Sequence, residues 1–129
     1  MAAEAKKEEP KKEDAKKDGT SEGTIIVIKD DDDFDAKLKQ YKDKLIILDF
    51  GASWCGPCKQ LDPIIKEKAK EFPKAVFFKI DVDECEETAE KYEIQNMPTI
   101  IFVKNEKQAD KQVGLGKKED IHNKIKALY

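Results

Sequence analysis

Two cysteines three residues apart are the residues of this sequence best suited to covalent chemistry. Cys55 and Cys58 enclose Gly56 and Pro57 and lie between an apolar run and an amphipathic segment, so we expect them on the first turn of a helix. At this spacing both sulfurs share one helix face, and a disulfide closes with little change in the backbone. Because so short a loop contributes only about 2 kcal/mol of stability, the pattern favours a redox-active disulfide over a structural one.

The expected helix position predicts different roles for the two thiols. Cys55 should face solvent and the free N–H groups at the positive helix end, which stabilise a thiolate. It is then the nucleophile that attacks a substrate disulfide, and the deeper Cys58 resolves the mixed disulfide. Cys58 needs a base, for which Asp49 in the run Leu48-Asp49-Phe50 is the candidate, because burial raises the pKa of a carboxyl group. The alternative is that Asp49 ends a strand and faces water.

The same cysteine pair is also the pattern of half a zinc site, and zinc usually takes four ligands. The remaining cysteine is Cys85 and the single histidine is His122, and neither belongs to a second ligand pair. We therefore expect no metal. His122 is predicted to lie on a helix surface. Because it is the single histidine and lies far from the cysteine pair in the sequence, a Cys–His protease arrangement is not expected either.

Hydrophobic periodicity predicts nine elements around this motif. Strands are predicted at Thr24–Lys29, Leu45–Phe50, Ala75–Val82, Thr99–Val103 and Lys107–Leu115. Helices are predicted at Phe34–Lys42, Lys59–Phe72, Cys85–Tyr92 and Lys118–Leu128. This order indicates an α/β sandwich with helices on both faces of the sheet, and the closing hairpin makes the sheet mixed.

Composition divides the 129 residues into two parts. Residues 1–23 carry six lysines and seven acids, and their apolar side chains are Met1, Pro10 and four alanines. We expect this Lys/Glu-rich segment to be a disordered, solubilising tail, with a docking tail as the alternative. Residues 24–129 hold the apolar residues that a folded domain needs.

Charge and hydropathy narrow the function classes. The 25 positive and 28 negative residues give a net charge of −3, and every positive residue is lysine. Without arginine, the usual reader of phosphate and guanine, nucleic-acid recognition is not expected. Unbroken runs of large apolar residues are at most four long, against about 20 for a membrane span. With no secretory leader in the sequence, we expect a reducing compartment.

Residues 24–129 resemble the thioredoxin family. The motif that carries the resemblance is Trp54-Cys55-Gly56-Pro57-Cys58-Lys59. Gly-Pro between the cysteines is typical of thioredoxins, whereas disulfide isomerases usually carry Gly-His and glutaredoxins Pro-Tyr. The resemblance implies a thioredoxin fold, with a central mixed sheet of about five strands flanked by about four helices. It also implies a reversible Cys55–Cys58 disulfide, supported by Gly56 and Pro57, and no bound cofactor.

The resemblance assigns roles around the cysteines as well. Asp49, six residues before Cys55, falls on the family's buried acid, which favours its role as proton acceptor and donor. Lys79 matches a lysine that neighbours this acid and tunes its pKa. Pro63 matches the proline that kinks the active-site helix.

A second part of the resemblance concerns substrate binding. Met97-Pro98-Thr99 resembles the family's cis-proline loop, which implies that Pro98 is cis and lies beside the cysteines. The Met97 backbone would then pair with an extended substrate segment. Trp54 and Gly114 would line the same docking groove, where a side chain at position 114 would obstruct the substrate.

The sequence departs from relatives at two positions, and at a third it matches animal thioredoxins. Gly51 stands where many relatives carry a second tryptophan. Asn96 stands where some animal thioredoxins have a cysteine used in dimerisation, so we expect a monomer. Cys85 matches a non-catalytic cysteine of animal thioredoxins and is either a packing thiol or a regulatory thiol open to oxidation.

The resemblance implies a protein-disulfide reductase that maintains cell redox homeostasis and supplies electrons to client enzymes. Thioredoxin reductase would recharge it with NADPH, and the clients would be of the peroxiredoxin, ribonucleotide reductase and methionine sulfoxide reductase types. The cytoplasm is the expected compartment, with nuclear entry and leaderless export left open. Two alternatives remain. One is a disulfide oxidase or isomerase, and the other is a binding module that uses the Met97–Thr99 groove, or the tail, to regulate a partner depending on redox state.

Overall fold

The computed structural model describes residues 24–129, and the predicted tail of residues 1–23 lies outside the described residues. The strands are β1 (Thr24–Ile28), β2 (Ile46–Gly51), β3 (Val76–Asp81), β4 (Thr99–Lys104) and β5 (Lys107–Val113). The helices are α1 (Asp31–Gln40), α2 (Gly56–Glu71), α3 (Glu86–Lys91) and α4 (Lys118–Leu128). The predicted mixed sheet of five strands with four helices is confirmed.

The strands form one sheet in the order β1-β3-β2-β4-β5. Strands β1, β3 and β2 are parallel, whereas β4 pairs antiparallel with β2 and with β5. Strand β2 is therefore central, and its carboxyl end leads directly to the cysteine motif. None of the four helices between residues 24 and 129 combines the length and the apolar character needed to cross a lipid bilayer.

Each face of the sheet has its own apolar core. Side chains alternate along β2, so that Ile47 packs with α2 and α4 while Leu48 packs with α1 and the residues around α3. Asp49 follows in this alternation and therefore points to the α2 face. The Asp49 carboxyl group therefore points toward α2, the helix that carries Cys58.

Two helices begin earlier than the sequence predicted. Helix α2 begins at Gly56 rather than at Lys59, because Pro57 in its first turn needs no N–H partner and Cys55 caps the helix. Helix α1 begins at Asp31 rather than at Phe34, with Asp30 as the cap and three acids in the first turn, where the helix dipole favours negative charge. Cys55 thus caps α2 and Cys58 lies in its first turn, in agreement with the expected position of the pair at the start of a helix.

Leu61 anchors α2 on the sheet, since its side chain is fully buried. We expect Leu61→Ala to lower the free energy of unfolding by about 2–5 kcal/mol through lost burial and the cavity that remains. Alanine keeps the helix propensity high. Lys70→Ala, at an exposed position of the same helix, should change the free energy of unfolding by no more than about 0.5 kcal/mol. Urea unfolding of both variants tests this, and equal effects would contradict it.

Candidate active site

The cysteine pair lies where α2 begins, just beyond the carboxyl end of β2. Cys55 and Cys58 are joined by a disulfide, with their Cα atoms 5.3 Å apart. Cys55 is the N-cap of α2, and its sulfur accepts a hydrogen bond from the backbone N–H of Cys58 at 3.2 Å. An N–H group aimed at this sulfur, at the positive end of a helix, can hold the negative charge of a Cys55 thiolate.

The sequence expectation that Cys55 faces solvent while Cys58 lies deeper is wrong for this disulfide form. Cys55 is 6% exposed and Cys58 is 8% exposed, so both are buried. The reason is that the Cys55 sulfur turns inward over the helix end, where it meets both the Cys58 sulfur and the Cys58 N–H. The two residues differ in their place on the helix, as cap and as first-turn residue, and not in exposure.

Cys58 packs closely against the backbone of β2. A Cβ atom added to Gly51 would lie 3.0 Å from the Cys58 sulfur and 3.2 Å from the Cys58 Cβ. Glycine therefore lets the sulfur approach the strand at the position where the sequence departs from many relatives. Since residues two apart on a strand share a face, the sulfur lies over the same face of β2 as Asp49.

Asp49 is a buried carboxyl group, 5% exposed, which excludes the alternative in which it faces water. The pKa of Asp49 is raised from 3.8 to about 7, mainly by burial and next by the negative charge of Asp62, while the charge of Lys79 partly opposes this rise. The carboxyl group faces a cavity of about 40 Å³ lined also by Asp62, Lys66 and Lys79. A group with such a pKa can both accept and donate a proton near neutral pH.

Lys79 lies beside Asp49, as the family resemblance implies, but its ammonium group bonds to another residue. The two are register partners on β3 and β2, while Lys79 Nζ donates to Asp62 Oδ2 at 2.9 Å. Sequence reasoning missed Asp62. Its spacing of four residues from Cys58 was an available signal, because residues i and i+4 share one face of a helix.

The Met97–Pro98 peptide bond is cis, and it lies at the same edge of the sheet as the cysteines. Thr99, the first residue of β4, is the register partner of Phe50, which places the loop before β4 beside the chain that follows β2. The N–H of Gly114 donates to the Pro98 carbonyl at 2.7 Å. Gly114 has φ of +84°, a conformation that suits glycine.

Trp54 extends an apolar surface next to the disulfide. It is 66% exposed, and its indole Nε1 donates to Asp83 Oδ2 at 2.8 Å. Asp83 is a second residue that sequence reasoning missed. No local pattern could have found it, because 29 residues separate the two.

Cys85 lies apart from the disulfide, in the core on the α1 and α3 face of the sheet. It is a free thiol with no exposed surface, and burial, followed by the charges of Asp31 and other nearby aspartates, raises its pKa to about 11. These properties favour the packing alternative over a regulatory thiol. Within residues 24–129, no three His, Cys, Asp or Glu side chains are arranged to hold a metal ion.

The fold and the site together define a thiol–disulfide oxidoreductase. A disulfide-bonded cysteine pair at the start of a helix, a buried acid and a cis-proline meet at one edge of a mixed sheet. The thioredoxin family model matches residues 25–127. The chain belongs to the thioredoxin family, whose general role is the reduction of protein disulfides and whose members use the cysteine pair without a bound cofactor.

Thioredoxins of several organisms are similar to this chain in sequence and in structure. The chain is 49% identical over 106 residues to a thioredoxin H-type of Oryza sativa subsp. indica, covering 81% of this chain and 86% of the relative. It is 49% identical over 94 residues to a thioredoxin of Geodia cydonium, covering 73% and 89%. The crystal structure of reduced Schistosoma mansoni thioredoxin pre-protein superposes with a TM-score of 0.79 at 41% identity, covering 83% of this chain and all of that one.

The raised pKa of Asp49 predicts how stability depends on pH. Between about pH 4 and pH 7 the folded protein holds a proton that the unfolded chain has released, so stability falls as pH rises through this window. We expect Asp49→Asn, which keeps the shape without the charge, to unfold at higher urea than the wild type at pH 8. The free energy of unfolding should rise by up to about 4 kcal/mol at pH 8, and this gain should shrink towards pH 4. An equal gain at pH 8 and at pH 4 would show that it does not come from the charge of Asp49.

The Trp54–Asp83 hydrogen bond predicts a fluorescence response, because Trp54 is the single tryptophan of the chain. We expect Asp83→Ala to release the indole and lower its steady-state anisotropy. The neighbouring exposed residue gives the control, Glu84→Ala, which should leave the anisotropy unchanged. Unchanged anisotropy in Asp83→Ala would mean that this bond does not hold the indole in solution.

Proposed function

We propose that this member of the family is a general protein-disulfide reductase that NADPH-dependent thioredoxin reductase recharges. Cys55 is the nucleophile, Cys58 the resolving thiol and Asp49 the base. The observation that carries the proposal is the Cys55–Cys58 disulfide at the start of α2, on the face of β2 that also carries a buried carboxyl group. Residues 24–129 form the functional domain in this proposal, and residues 1–23 are accessory.

In the first step the Cys55 thiolate attacks one sulfur of a client disulfide. A Cys55–client mixed disulfide forms, and the other client sulfur leaves as a thiolate that takes a proton from water. The Cys58 N–H at 3.2 Å from the Cys55 sulfur stabilises the attacking thiolate before the bond forms. Gly56 and Pro57 keep this N–H at the helix end, since Pro57 belongs to the first turn.

In the second step Cys58 resolves the mixed disulfide. The Cys58 thiol gives its proton to the Asp49 carboxylate, and the Cys58 thiolate attacks the Cys55 sulfur. The Cys55–Cys58 disulfide forms, and the second client sulfur leaves and is protonated. Two electrons have then passed from the protein dithiol to the client. Because both thiols belong to one helix turn, the step is intramolecular and fast.

The client binds along the edge formed by Trp54, the cis-proline loop and Gly114. The Met97 backbone precedes β4 and is free to pair with an extended client segment, while Thr99 is buried and fixes the start of the strand. Trp54 and Val113 add exposed apolar surface. Such a surface accepts many sequences, because backbone hydrogen bonds and apolar contact do not depend on particular client side chains.

The redox cycle also indicates partners and compartment. Thioredoxin reductase returns two electrons from NADPH to the Cys55–Cys58 disulfide, so the protein carries electrons to clients of the peroxiredoxin, ribonucleotide reductase and methionine sulfoxide reductase types. The cytoplasm is the proposed location, because its thiol pool keeps dithiols reduced. Gly56-Pro57 between the cysteines favours a reduction potential of about −270 mV, at the reducing end of the family range, whereas a disulfide isomerase has a potential of about −180 mV.

Insulin reduction tests the proposal, with NADPH and a thioredoxin reductase as the electron source. We expect turnover by the wild type and by residues 24–129 alone, and none by Cys55→Ser, which lacks the nucleophile. Cys85→Ser is the matched control and should retain turnover. A wild type that carries the disulfide but fails to turn over would favour a dedicated partner or a binding role.

Removal of the resolving thiol should trap the intermediate of the cycle. We expect Cys58→Ser to accumulate mixed disulfides through Cys55, detected as reducible adducts by mass spectrometry after incubation with an oxidised client. The double variant Cys55→Ser/Cys58→Ser should form none. Adducts that persist in the double variant would show that client binding does not depend on thiol–disulfide exchange.

A further inference from the structure

We propose that Asp62 is a positioning residue for proton transfer at Asp49. Asp62 holds the Lys79 ammonium group at the solvent side of the cavity, which keeps the buried Asp49 carboxyl unpaired where it lines that cavity. The inference rests on the proposed role of Asp49 as the base for Cys58. It adds a residue outside the cysteine motif to the machinery of the resolving step.

The cavity joins the buried acid to the surface. Its volume of about 40 Å³ has room for about three or four water molecules, since one needs about 10–15 Å³. Four charged side chains line it, Asp49 from β2, Lys79 from β3, and Asp62 and Lys66 from α2, while β1 contributes Ile25. Asp62 is 33% exposed and Lys79 is 50% exposed, so this end of the cavity reaches solvent.

The position of the Lys79 ammonium group determines how strong a base the Asp49 carboxylate is. As the register partner of Asp49 on the adjacent parallel strand, Lys79 is well placed to pair with it, and a paired ammonium would favour the ionised carboxylate and make it a weaker base. Instead Lys79 Nζ bonds to Asp62 Oδ2 at 2.9 Å. Across residues 24–129, no side chain donates a hydrogen bond to the Asp49 carboxyl.

Asp62 therefore acts on Asp49 in two ways. Its own negative charge opposes ionisation of Asp49, and its hydrogen bond keeps the opposite charge of Lys79 from pairing there. Both effects favour a carboxyl group that takes a proton from Cys58 and then passes it to water in the cavity. Asp62 follows Cys58 by one helical turn, so the same helix carries the proton donor and the residue that tunes its acceptor.

Asp62→Asn tests the proposal, because it keeps the size of the side chain and removes its charge. We expect the pKa of Asp49, followed by the ¹³C shift of its carboxyl carbon in the oxidised protein, to fall by about one pH unit. The pH midpoint for the resolution of a preformed Cys55 mixed disulfide should fall with it. Asp62→Glu should restore both midpoints, which a purely structural role of Asp62 would not require.

Two further variants separate this effect from a general change in charge. Asp110→Asn removes the acid of another partly exposed ion pair, Asp110–Lys124 at 3.2 Å, and should leave the Asp49 titration unchanged. Lys79→Gln should raise the pKa of Asp49, the opposite of Asp62→Asn.

An Asp49 titration in Asp62→Asn that equals or exceeds the wild-type midpoint would overturn the proposal. This readout needs no client and no reductase. Absence of wild-type insulin reduction would instead overturn the proposed function, so the two failures are distinguishable.

Discussion

A helix that begins inside a protein needs acceptors for its first backbone N–H groups, and α2 finds one in the sulfur of Cys55. In most helices a hydroxyl or carboxylate oxygen fills this place. Here the capping atom is itself the reactive one, so the chemistry and the start of the helix depend on the same contact. The central strand β2, buried along almost its whole length, gives this junction a rigid base, and the cis-proline loop and Trp54 are arranged around it.

The buried acid shows a second constraint, because stability and reactivity make opposite demands on it. An apolar strand would be more favourable with a neutral residue at position 49, since a carboxylate loses hydration when it is buried. The same loss of hydration brings its proton affinity close to neutral pH. The ion pair of Asp62 and Lys79 lies on the solvent side of the cavity, where charge costs little. A destabilising group at a reactive site is a common compromise in enzymes.

The fold was largely predictable from the sequence because apolar spacing follows strand and helix periods along most of the chain. The residue at which α2 begins was not, since Gly56 and Pro57 interrupt the helical pattern, which was predicted to begin at Lys59. Cys55, Cys58 and the cis-proline loop could be found from local motifs. Asp83 and the bond from Asp62 to Lys79 could not, because they depend on which strands and helices become neighbours.

The direction of β1 has a practical consequence. It runs parallel to β3 and hence to β2, with Thr24 level with Val76 and Ile46, so the chain enters the domain at the edge of the sheet opposite the disulfide. Strand β2 spans roughly 20 Å between these two edges. A surface linkage, a fluorescent label or a fused partner attached just before Thr24 would therefore join the domain on the far side of the sheet from Trp54 and Pro98. An immobilised form of the protein is best anchored there.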